Sequence, residues 1–157
     1  QSKHKDDPDR KALACYGLLL RWLEQDATAH EEIWLRFVDG RPVSAITIQF
    51  LEWCCAKLEA KGKRVLAMVW DNASWHISKA VRKWVRQHNR QVKQAGHGVR
   101  ILVCYLPVKS PWLNPMEAHW MHAKRAVVEP DGELSVVELK RRLCAHFAVA
   151  LENSTLQ

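Results

Sequence analysis

Asp71 and Glu117 are the only acids in a stretch that holds eight Lys or Arg between residues 72 and 116. Hard oxygen donors of this kind suit Mg2+ or Mn2+, which prefer carboxylates and keep several waters for exchange with substrate. Two such ions, about 3.5 to 4 Å apart, activate an attacking oxygen and stabilise a leaving one. Acids that hold a metal, framed by cations that attract phosphate, fit phosphoryl transfer on a nucleic acid. Each acid also has an ordinary explanation. In Asp71-Asn72-Ala73-Ser74 the aspartate can close an Asx turn, and Asn114-x-x-Glu117 has the spacing of a helix capping box.

Other groupings carry less chemistry. His119 and His122 lie one helical turn apart but lack the H-E-x-x-H arrangement of a zinc helix. Ser74 and His76 are too close in sequence for a hydrolase triad, and there is no G-x-S-x-G elbow. Cys54 and Cys55 are adjacent on one predicted helix and read as packing. Contacts to a polyanion are easier to place. Lys79, Lys83, Arg86 and Arg90 form one stripe on a predicted helix, and Lys109 follows in the loop before Glu117. These are the expected phosphate contacts. Trp75 and Trp112, in loops flanking the two acids, are the expected base-stacking groups.

The elements that must position these residues follow from hydrophobic periodicity. Residues 1–10 are polar and read as a disordered lead-in. Apolar runs at Lys11–Trp22 and Ile33–Val38 predict an antiparallel pair. Helical spacing of Ile48, Leu51, Cys55 and Leu58 predicts a helix from Ser44 to about Lys61, capped by Ser44 or Thr47 and stopped at Gly62. Val65–Asp71 is nearly all apolar, the pattern of a strand covered on both faces. A helix from Ser78 to about Val92 puts Val81, Trp84, Val85 and His88 inward, opposite the basic stripe. A strand follows at Val99–Leu106. Asn114 and Pro115 start the next helix, and a capping box, Ser135 and Glu138, opens the last. The order β-β-α-β-α-β-α-α predicts a mixed sheet with flanking helices.

A chain of 157 residues with 48% hydrophobic composition suits one domain with a sizeable core. The net charge of +7 is local, because residues 72–116 alone carry +8. Such a block points to a polyanion. Five cysteines without C-x-x-C spacing read as reduced thiols, mostly in apolar runs. No run approaches the roughly 18 apolar residues of a membrane span, and the start has no signal-peptide pattern. A cytoplasmic protein without a membrane partner is expected.

Two segments carry a family resemblance. Trp70–His76 (W-D-N-A-S-W-H) and Leu106–Glu117 (L-P-V-K-S-P-W-L-N-P-M-E) resemble the paired motifs of the catalytic core of mariner-type bacterial insertion-sequence transposases. The resemblance runs from about Lys11 to the last helix. It implies a DDE superfamily endonuclease domain with an RNase-H-like fold over residues 11–157, using Mg2+ or Mn2+ on transposon ends and target DNA. A homodimer and nucleoid association are also expected. Asp71 matches the second catalytic acid of the family and Glu117 the third. The first lies on a central strand before the Lys11 run, and here only Asp6, Asp7 and Asp9 of a polar tail precede it. The chain is therefore expected to be the C-terminal part of a transposase, inactive alone, with a seam between the Lys11 and Val65 strands where the first strand is missing.

Overall fold

The computed structural model describes residues 13–128, 135–149 and 156. The predicted lead-in lies outside these residues. Strand β1 (Ala14–Leu23) pairs antiparallel with β2 (Ala29–Val38) over its whole length, from Ala14 opposite Val38 to Leu23 opposite Ala29. Both strands extend past their apolar runs, because cross-strand pairs such as Arg21 with Glu31, 2.5 Å apart, suit a solvent-facing hairpin end. Helix α1 (Ser44–Ala60) then leads to β3 (Val65–Trp70), α2 (Lys79–Ala95) and β4 (Arg100–Tyr105). A 3₁₀ turn (Pro111–Leu113) precedes α3 (Pro115–Val128), and α4 (Val136–His146) follows. Among the described residues the chain is thus mixed α/β, with four helices and two small sheets.

Several expectations need correction. β3 pairs in parallel with β4, Val65 opposite Arg100 through Trp70 opposite Tyr105, but no ladder joins β1 to β3. Instead of one mixed sheet, the described strands form two two-stranded sheets. β3 is not covered on both faces: Leu66, Met68 and Trp70 are buried, while Val65 and Val69 are each 52% exposed. Neither Ser44 nor Thr47 caps α1, whose N-cap Val43 has no side-chain acceptor. Thr47 is buried instead and its hydroxyl meets Tyr16 Oη at 2.6 Å, tying α1 to β1. Among the cysteines, Cys54, Cys55 and Cys144 are buried, but Cys104 is exposed.

The core sits where α1, α2 and β3 meet the hairpin, around Leu51, Cys54, Val81 and Trp34. Helix α2 is well bounded. Ser78 Oγ accepts the Val81 amide at 3.2 Å, and Gly96, at φ +73°, closes the other end with its N–H on Val92 O. The left-handed closing position favours glycine. Ser44 Oγ also donates to Ser78 Oγ at 2.7 Å, so one serine links the starts of both helices. Ser78→Ala should cost about 1 to 2 kcal/mol of stability, read as a lower midpoint in urea.

The outer sheet edges are closed by the chain's own groups. Asn89 of α2 bonds both the N–H and the C=O of Ile101 at 2.8 Å, which occupies the free side of β4. Leu156 makes a parallel bridge to Val38, with its N–H on Phe37 O and its C=O taking the Asp39 amide, and so occupies the free side of β2. The inner edges, those of β1 and β3, face each other across a groove of about 600 Å³.

Candidate functional site

Asp71 and Glu117 line that same groove. β3 delivers Asp71 at its carboxyl end, where parallel α/β units place their ligands. Asp71 Oδ1 accepts the Ala73 amide at 3.0 Å, so the Asx turn forms. It also meets His76 Nδ1 at 2.7 Å. Both contacts use one oxygen, and Oδ2 has no partner among the described residues. The Asx turn and an open donor therefore coexist on one side chain.

Glu117 arrives on the first turn of α3. Asn114 Oδ1 accepts the Met116 amide at 3.1 Å, and Asn114 O takes the Glu117 amide at 3.0 Å. The return bond of a capping box, from the Asn114 amide to the Glu117 carboxylate, does not form among the described residues. Glu117 is half-buried, and its carboxylate has no partner among the described residues. The contrasting case is Glu138, whose amide bonds Ser135 Oγ while its carboxylate turns to Arg141 and Arg142. Those two guanidinium groups hold the Glu138 carboxyl at about 2.

α3 reaches the groove because β1 offers it a residue without a side chain. A Cβ at Gly17 would lie 2.7 Å from Met116 Cε and closer still to the Trp120 ring. Asn72 adds a second tether across the site: its side-chain amide donates to Leu106 O at 2.6 Å, which holds the two acid-bearing segments together.

Sequence patterns place His76 at the end of the Trp70–His76 motif and set it aside as a triad member, without a role beside Asp71. Its ring lies flat on Trp70, 4.7 Å between centroids and 1° between planes. Burial lowers its pKa, against the rise that Asp71 contributes. The contact with Asp71 is therefore a hydrogen bond from a neutral imidazole near neutral pH rather than an ion pair. Tyr16 faces the same space: burial raises its phenol, Thr47 opposes the rise, and the charge of Asp71 adds to it.

A divalent cation fits the donors present. Two carboxylates with free oxygens are the hard ligands that Mg2+ or Mn2+ takes. The one cysteine on the groove, Cys15, has its thiol pushed up to about 12 by burial and offers no thiolate. Among the described residues no three acids, histidines or cysteines converge on one point. Asp71 and Glu117 both line the groove, with no third such ligand converging on them among the described residues.

Lys79, Lys83, Arg86 and Arg90 are all exposed on α2, opposite Val81. Arg82 and Lys93 join the same face, three residues from Lys79 and from Arg90; helical spacing alone would have found them. Lys109 is exposed too, in the left-handed region at φ +60°, a strained position for a lysine. Trp112 is 74% exposed beside α3, whereas Trp75 is half-buried with its ring edge-on to His76.

Comparison with family profiles matches residues 26–133 to the DDE superfamily endonuclease, more than half of the chain and both groove acids. The chain belongs to the DDE superfamily endonuclease family. Membership suggests a transposase-type, metal-dependent nuclease acting on DNA. Neither curated proteins nor solved structures give a match to this DDE endonuclease chain. None of its described helices is long and apolar enough to cross a membrane.

Proposed function

We propose that the chain is catalytic-core sequence of a DNA transposase of the mariner-like insertion-sequence type, in which Asp71 and Glu117 are two carboxylate arms of a divalent-metal centre. One observation carries this reading: two carboxylates, from the end of β3 and the first turn of α3, line one groove, each with an oxygen that has no partner among the described residues. Mg2+ or Mn2+ held there would activate an attacking oxygen and neutralise a leaving one. The chain's own residues do the rest. Asp71 Oδ2 and Glu117 offer hard donors, the α2 face draws the phosphate backbone, and Trp112 stacks on an unpaired base.

The RNase-H-like arrangement belongs to the same reading. Of the four strand edges, those of β1 and β3 are left, and both border the groove. An extended, acid-bearing segment paired to both edges would satisfy their backbone groups, join the two sheets into one, and set a further carboxylate near Asp71. In a plasmid-nicking assay with Mn2+, the chain alone should be inactive. Supplying an acid-bearing strand, in the same polypeptide or from a second copy, should restore nicking that Asp71→Asn abolishes. DNA binding with no nicking under any such supplement would instead make the chain a basic nucleic-acid-binding module.

Trp112→Ala gives a separate check. Base stacking on an aromatic ring contributes about 1 to 3 kcal/mol per base, so single-stranded DNA affinity should fall roughly five- to 150-fold. The thermal midpoint should stay unchanged, because the ring is mostly in solvent.

A further inference from the structure

Asp71 is held by more than its turn needs. The Ala73 amide already closes the Asx turn on Oδ1, yet His76 Nδ1 reaches the same oxygen at 2.7 Å. The imidazole is itself packed among aromatic rings. Trp70 lies flat against one face, Trp75 meets it edge-on at 77° and 5.9 Å, and the Tyr16 ring is 6.0 Å away. Its side chain is only 15% exposed, against 45% for Asp71. A half-exposed carboxylate otherwise rotates freely about its last torsion. Here a clamped donor fixes it, so little ordering remains to be done when a ligand arrives.

We propose that His76 is a positioning residue for Asp71: together with the Ala73 amide it pins Oδ1 and leaves Oδ2 as a single fixed donor for a divalent cation in the groove. This rests on the metal reading of the groove given above. The carboxylate is an acceptor, so Nδ1 carries the proton. Trp70, the platform for the ring, directly precedes Asp71, so the clamp and the residue it holds share the end of β3. Outer-shell partners of this kind are worth about 10- to 100-fold in metal affinity.

The test titrates Mn2+ into the full chain, with free Mn2+ followed by electron paramagnetic resonance and the fold by thermal unfolding. Four variants accompany the parent: Asp71→Ala, His76→Ala, His76→Phe and His76→Asn. Phenylalanine keeps the stack on Trp70 without a donor. Asparagine puts an N–H donor on the same branch as Nδ1. We expect Asp71→Ala to abolish binding, the Ala and Phe variants to weaken it about 10- to 100-fold, and the Asn variant to recover most of it. If His76→Ala does not fold, the Phe and Asn pair decides. Loss in Asp71→Ala with parent-like binding in His76→Phe would overturn the positioning role alone, as would an Asn variant no better than Phe. A parent that binds no Mn2+, or binding unchanged in Asp71→Ala, would overturn the metal reading itself and this role with it.

Discussion

Replacing Lys79, Lys83, Arg86 and Arg90 together with alanine should reduce duplex DNA affinity by about 10³-fold near 0.1 M salt and flatten its salt dependence by about four units. The estimate follows from counterion release, at about 0.9 of a unit per phosphate neutralised. All four side chains are exposed on one face of α2 and no acid lies between residues 72 and 116 to offset them. The fold should survive, because the packed face of α2 is the opposite one, with Val81 fully buried. Arg82 and Lys93 remain in that variant and should leave a weak, sequence-independent residue of binding. Parent-like affinity and salt slope, measured by fluorescence anisotropy from 50 to 200 mM salt, would mean that the face is merely solvated.

The second large effect is expected at Gly17 of β1. Here β1 and α3 approach so closely that even a Cβ collides with Met116 and Trp120. Gly17→Val should cost about 3 kcal/mol, near the upper end for overpacking. The damage should also be local in character. Met116 and Trp120 flank Glu117 on α3, so relief of the clash displaces the helix turn that carries the carboxylate. Urea unfolding gives the stability loss, and hydrogen exchange should show α3 amides opening more readily while those of α2 keep their protection. Uniform loss of protection across both helices would contradict the local reading.

The legible parts of the molecule are those that local chemistry decides. β3 was legible as an apolar run ending in Asp71, and α2 as a stripe bounded by Ser78 and Gly96, since periodicity and caps act within a few residues. The open face of β3 was not, because an all-apolar strand has the same sequence whether or not its cover is in place. Thr47 was misread as a cap because its partner, the Tyr16 hydroxyl, is 31 positions away. The two ordinary explanations for the acids divided in a way that sequence could not decide. The Asx turn forms at Asp71 yet uses only Oδ1, and the Glu117 carboxylate makes no capping-box bond among the described residues. His76 lies in a loop without periodicity, and only the turn through Ala73 brings it back onto Asp71.

The proposed metal centre requires the end of β3 and the start of α3 to share one divalent cation. Substituting Fe2+ and starting radical chemistry with ascorbate and peroxide cuts the backbone within a few ångströms of the bound ion. Mapping the fragments by mass spectrometry should place cuts at two separated stretches, around Asp71–Ala73 and around Asn114–Glu117, both suppressed by excess Mg2+ and both lost in Asp71→Ala. Cuts at one stretch alone, or a pattern indifferent to Asp71, would contradict the account.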